Sequence, residues 1–224
     1  MSGWPVNEAS CLETQAALAA ARPAPWSLPA TCAVAGCFVC FPRGLRGRGA
    51  AGDAAWAAAV LLDVEARPKV VVTEGTAGYP YRQGFLALRE GSLCESAVQA
   101  LSALPDVLLV NATGRDHPRR AGLALHLGAV LALPTVGVTH RPLLAEGSWP
   151  EDAAGAWSPL RLEGEVVGAW VRTRAGRRPL AVHAGWRTDV ETAVAMVTAA
   201  TSQYRTPEPL RLARWAAREA RVGT

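Results

Sequence analysis

PDVLLVNATGRDHPRRAGLALHLG, residues Pro105–Gly128, is the stretch that decides the fold. Val107–Val110 is a short apolar run bounded by Pro105 and a polar turn, and it reads as a strand buried on both faces. After the turn, Arg119–Leu131 takes helical spacing, with Ala121, Leu125, Gly128 and Ala129 offering a small-residue packing face. Pro134 ends that helix, and Thr135–Val138 is a second short strand. Strand–helix–strand order of this kind implies parallel pairing through a crossover.

Upstream, runs at Ala33–Phe41, Ala54–Asp63 and Lys69–Glu74 are joined by short links, which predicts an antiparallel meander. The link after the first strand, PRGLRGRGAAG, is a glycine-marked turn whose Arg43, Arg46 and Arg48 make a basic tip. Helices are expected at Asn7–Ala21 and Gly84–Leu101. Downstream, Val166–Arg172 and Leu180–His183 read as a hairpin, followed by helices at Val190–Ala200 and from Leu210 to Arg218. The expectation is an α/β chain with a mixed sheet, antiparallel meander plus parallel strands, flanked by helices. It forms one domain over residues 1–224, of which residues 1–30 are an N-terminal helix and loop.

Half of the residues are hydrophobic, which suits a packed core, and no run is long enough to span a bilayer. The first ten residues carry no basic start followed by an apolar stretch, so the expected location is cytoplasmic, with no membrane partner. The five cysteines do not suggest a disulfide framework. Cys37 and Cys40 form a C-x-x-C pair, but on a strand residues three apart face opposite ways, so both read as buried structural thiols. The net charge of +4, carried almost wholly by arginine, is compatible with nucleic acid without demanding it.

Four phrases are similar to the endonuclease V family, nucleases with an RNase H-like fold that cut near deaminated bases such as inosine. VAGCFVCF (Val34–Phe41) resembles the family's V-A-G-V-D-V-S-Y. YPYRQGFLALRE (Tyr79–Glu90) resembles Y-I-P-G-F-L-A-F-R-E. The Pro105–Gly128 stretch resembles P-D-V-L-L-V-D-G-H-G-x-x-H-P-R-R-x-G-x-A-S-H-x-G. The segment from Gly164 to Val194 resembles the family's V-R-T-R and G-H-R-x-D-L-E-T-A phrases. The resemblance implies an RNase H-like fold and a Mg²⁺ site built from carboxylates.

Against that pattern, Glu90 matches, while Phe38, Asn111, His140 and Trp186 stand where the resemblance implies Asp, Asp, Lys and His. A benzyl group has no lone pair, and one carboxylate with one amide is a poor Mg²⁺ cage, so no metal and no cofactor are expected. The residual site is expected to gather Glu90, Asp116, His117 and His140 as acid–base groups, with Tyr81, Asn111, Arg119 and Trp186 as substrate contacts. Partly desolvated, Glu90 would have a raised pKa and act as a general base. The leading functional expectation is therefore a repurposed, metal-independent enzyme acting on a small molecule, in a biosynthetic setting, or a subunit whose site a protein partner completes. Two alternatives stand beside it: a catalytically inactive nucleic-acid-binding protein, using Tyr81 and three arginine surfaces that could meet phosphates (the Arg43–Arg48 tip, Arg172–Arg178, and the basic face of the last helix with Arg211, Arg214, Arg218 and Arg221), and a divergent metal-dependent endonuclease acting on inosine-containing DNA or RNA, with His117 or Asp116 as new ligands.

Overall fold

The computed structural model describes residues 3–44, 49–63 and 67–223. Arg46 and Arg48 of the expected basic tip lie outside these residues; Arg43 is exposed. Thirteen elements follow in order among the described residues: α1 (Glu8–Ala20), β1 (Val34–Cys40), β2 (Ala54–Leu62), β3 (Lys69–Thr76), α2 (Leu86–Gln99), β4 (Val107–Val110), α3 (Leu123–Leu131), β5 (Thr135–Thr139), β6 (Trp157–Leu162), β7 (Glu165–Val171), β8 (Leu180–Ala184), α4 (Val190–Ala199) and α5 (Glu208–Val222). The strands form one sheet in the order β3-β2-β1-β4-β5-β8-β7-β6. The meander β1–β2–β3 is antiparallel, and β1, β4 and β5 run parallel. This is the expected mixed α/β sheet, RNase H-like in its architecture.

Both faces are covered. Ala35, Cys37, Ala57, Ala59, Leu108 and Val110 pack toward α2 and α3. Leu109, Val136 and Val182 pack toward α4. Cys40, Ala58 and Val60 meet Ala213, Ala216 and Ala217 of α5. The alanine-rich β2 (AAWAAAVLL) lets helices lie close on either side. As the alternation predicts, Cys37 and Cys40 face opposite sides and are both buried; all five cysteines are free.

Several boundaries differ from the sequence reading. α3 begins at Leu123 rather than near Arg119, because Arg120 takes φ 56° and breaks any helix started before it. β6 was not expected: Trp157–Leu162 alternates poorly, contains Pro159, and among the strands pairs with β7 alone at the sheet edge, with one isolated bridge from Arg161 to Glu146. α5 extends to Val222. No helix among the described residues is long and apolar enough to cross a membrane.

α5 is the element that shapes the site. A Cβ built at Gly36 on β1 would lie 2.5 Å from the Pro209 carbonyl carbon and 2.6 Å from Leu210 N. Only a glycine lets the start of α5 rest directly on β1. We predict that Gly36→Ala forces α5 off the sheet and lowers the unfolding free energy by about 1–3 kcal/mol. The check is urea unfolding, and an unchanged midpoint would contradict it.

Candidate nucleic-acid site

The site forms where β1, β4 and β5 end, and Asn111 stands at its centre, just beyond β4. Asn111 lines two adjoining cavities. One, of about 180 Å³, has Tyr81, Gly84, Ala112, Thr113, His117 and Leu143 among its walls. The other, of about 10 Å³, lies between Phe38, His140, Leu210 and Arg214. Thr139 is common to both.

The larger cavity is built by a fixed loop. Arg89, only 3% exposed, donates to the carbonyls of Ala50 and Tyr79 and pairs with Asp53 at 2.8 Å, with its guanidinium 4.1 Å from the Phe41 ring centre. These contacts tie the Tyr79–Gly84 loop to the meander. Gly84 takes φ 83°, and its carbonyl accepts from Gln15 Nε2 at 2.9 Å and Arg119 Nη2 at 2.6 Å. A side chain there would collide with the Arg119 guanidinium at 2.8 Å, so glycine is required on both counts. Arg119 also lies 4.5 Å over the Phe85 ring. Tyr81, at the tip, is 47% exposed.

Of the expected acid–base groups, His140 shares a cavity with Asn111, and His117 shares the other. His117 Nδ1 accepts from Arg119 N at 3.2 Å and its ring also bonds the Gly84 backbone. Burial, then the Arg119 charge, lowers its pKa to about 4, so it is a neutral wall of the cavity. Asp116 does not reach either cavity. Fully buried, it accepts from the backbone N–H groups of Leu143, Leu144 and Ala145 at 2.6–2.8 Å, and lies 3.8 Å from His183. That arrangement holds the loop after β5 in place.

Trp186 is not in the site. It follows β8, which runs antiparallel to β5, so it sits at the opposite end of the sheet, where its carbonyl accepts from Thr135 N. Its side chain packs with Leu18, Ala121, Leu125 and Ala129. The residue that occupies the site is Arg214 of α5, with its guanidinium 5.2 Å from the Phe38 ring centre. Sequence reading placed Arg214 only on a basic helix face. The signal available was the spacing: with Leu210, Ala213 and Ala217 buried against the sheet, Arg214 and Arg218 must share the flank beside Phe38.

Glu90, on α2, keeps part of its surface exposed, yet its carboxyl is desolvated enough that burial raises its pKa to about 7, against the pull of the Arg89 charge. Among the described residues, no three His, Cys, Asp or Glu side chains come together as a metal site. Phe38 offers a ring, Asn111 a single neutral oxygen, and the nearest cations are arginines. These residues do not fit a Mg²⁺ centre.

The architecture, with its cleft at the parallel strand ends, is that of an RNase H-like domain. Residues 29–215 match the Endonuclease V family, and the chain belongs to it. A relative from Streptomyces coelicolor, named Endonuclease V, is 37% identical over 218 residues, covering 95% of this chain and 90% of its own. The crystal structure of the endonuclease V from Streptomyces avermitilis superposes with a TM-score of 0.85 at 34% identity, covering 97% and 94% of the two chains. At 23% identity and a TM-score of 0.77, with 95% and 96% covered, the fold also matches that of Ciona intestinalis endonuclease V, crystallised in complex with a 24mer DNA containing an inosine followed by a ribo-adenosine.

These relationships overturn the leading functional expectation. Relatives matched over nearly the whole chain carry the family's name, so a repurposed small-molecule or biosynthetic enzyme, or a subunit completed by a protein partner, is not supported.

Glu90 lines neither cavity, but it gives the fold a pH signature. Its folded pKa, about 7, lies above the ordinary 4.5, so the folded state holds a proton that the unfolded state releases between pH 4.5 and 7. Stability from this group is present below pH 4.5 and lost as pH rises through 7. His117 and His183, held near 4 chiefly by burial, act in the opposite sense and cost stability as pH falls from 6.5 to 4. We predict that Glu90→Gln is more stable than wild type by roughly 1–3 kcal/mol at pH 8, with the gap closing toward pH 4.5. Urea unfolding at both pH values checks it; a gap independent of pH would contradict the raised pKa.

Proposed function

We propose that this chain is a nucleic-acid-binding member of the endonuclease V family that engages strands carrying a deaminated base such as inosine, and that it does not cut them by the family's carboxylate–metal chemistry. The observation that carries this reading is the cavity beneath Tyr81. Its size, about 180 Å³, exceeds the ~150 Å³ that admits a benzene-sized ring, and it opens to solvent, so a flat ring system such as an extruded base can enter it. Its walls are fixed: Gly84 is locked by Gln15 and Arg119, Leu143 is held through Asp116, and neutral His117 presents a flat polar edge. Tyr81 stands exposed at the mouth, placed to stack on a neighbouring base. The DNA bound by the Ciona protein supports the ligand class.

A second reading rests on the name its relatives carry: a nuclease acting on the same strands. Glu90 is the carboxylate it would have to use, with no second carboxylate from Phe38 or Asn111.

One experiment separates the two. A labelled single strand with one inosine is titrated with protein in EDTA, then incubated with Mg²⁺ or Mn²⁺. The proposal expects submicromolar to micromolar binding without metal, weakened roughly 5- to 100-fold by Tyr81→Ala, as expected for loss of one stacked base, and an intact strand after incubation. Cleavage that requires the divalent ion and is abolished by Glu90→Ala would establish the second reading. No binding at low salt would sink the first.

A further inference from the structure

The small cavity beside Phe38 is surrounded by positive charge that nothing in the protein balances. Arg205 Nη1 lies 3.3 Å from His140 Nδ1, and Arg214 Nη2 lies 3.3 Å from His140 Nε2. Arg218 joins them from the next turn of α5, with its guanidinium 5.9 Å from the Phe38 ring centre. Among the described residues, none of these three arginines makes an ion pair with a carboxylate, whereas Arg211, one turn earlier on α5, is paired with Glu208. The arginines are not merely solvated surface. Arg205 is anchored through the carbonyls of Arg178 and Pro179, and burial followed by neighbouring arginines lowers the pKa of both Arg205 and Arg214.

The hydrogen bonding is equally unbalanced. A neutral imidazole has one N–H and one lone pair. With a guanidinium donor facing each ring nitrogen, one donor must point at the His140 N–H. Protonating His140 would place a third cation among the two, and burial and both arginines hold its pKa down. The group that resolves a cluster of donors without an acceptor is an oxyanion, and arginine forks match phosphate oxygens in geometry as well as charge.

We propose that Arg205, Arg214, Arg218 and His140 form a phosphate site that works without a metal ion. It would hold the backbone phosphate adjacent to the base seated under Tyr81, over the exposed His140 and Arg218 and not inside the small cavity. This deepens the proposed function and rests on it: Asn111 and Thr139 are shared by the base-sized cavity and by the one beside the arginines, so both ends of one nucleotide can be gripped at once. Where a carboxylate–metal centre neutralises the phosphate through a bridging cation, this chain supplies the cations itself.

The test is fluorescence anisotropy with a labelled, inosine-containing single strand in EDTA over a range of salt. Arg214→Gln should weaken binding by about tenfold or more and reduce the slope of log affinity against log salt by about 0.7. Arg214→Lys, which keeps the charge and guards against a folding artefact, should retain the slope while losing part of the affinity. Arg161→Gln, on the edge strand β6 far from this face, should leave both unchanged. Strand binding with affinity and slope identical in wild type and Arg214→Gln would overturn the phosphate site while leaving the nucleic-acid reading intact. If no strand binds to wild type, that reading falls, and inorganic phosphate decides. Thermal stabilisation by millimolar phosphate over matched chloride, lost in Arg214→Gln, would keep the oxyanion site as one for free phosphate. No stabilisation would overturn it.

Discussion

The contact between Gly36 and the Pro209–Leu210 backbone is the constraint on which the functional face depends. β1 and α5 touch there at a distance no other residue would permit. From that point α5 runs along β1 and β2 on an alanine face, Ala213, Ala216 and Ala217, with Cys40 Sγ donating to the Ala217 carbonyl at 3.3 Å. Small residues on both partners bring the helix axis close to the sheet. That closeness, together with helical periodicity, sets Arg214 and Arg218 over Phe38. The charge on this face is thus fixed by packing: the interaction that holds the last helix also determines what stands at the end of β1.

A second set of constraints builds the other half of the site from buried polar groups. Asp116 uses its two oxygens to hold three consecutive backbone amides of the loop after β5. Arg89 and Arg119 do the corresponding work for the loop before α2, each through carbonyls and an aromatic face. Buried charges with this many partners are costly to disturb, because removing one leaves several groups unsatisfied. The region around Asn111 is therefore rigid, and rigidity is what a base-sized cavity needs if it is to select by shape and edge.

The fold was legible in the sequence because its signals are local. Val107–Val110 and Thr135–Thr139, separated by a helix, could pair only in parallel, and the run of three strands after Pro29 had to form a meander. β6 was missed because an edge strand containing Pro159 carries no such pattern. The start of α3 was misjudged because nothing in the sequence marks Arg120 as left-handed. Asn111, His117, His140 and Tyr81, singled out from the sequence, line the two cavities. Trp186 was misplaced by the family phrases. The segment aligns with a histidine phrase, yet antiparallel pairing of β8 with β5 carries it to the far end of the sheet. Arg205 carried no sequence signal and Arg214 only that of its helix spacing, since their roles follow from where α5 lands and not from any motif. The basic stretch Arg172–Arg178 was read as a phosphate surface, but Arg172 is 7% exposed and spends its guanidinium on the Glu151, Arg177 and Pro150 carbonyls.

The family's chemistry depends on carboxylates that concentrate negative charge around a cation. At the same place this chain sets Phe38, Asn111 and a group of arginines, so the local field is reversed. The most direct measurement is titration calorimetry of the protein with Mg²⁺ and Mn²⁺, with Glu90→Ala as the control. The account predicts no heat beyond that of the control, because Glu90 has no cluster of further carboxylates among the described residues with which to hold either ion. Glu90-dependent binding in the micromolar to low-millimolar range would contradict it, and would return the site to metal-assisted cleavage.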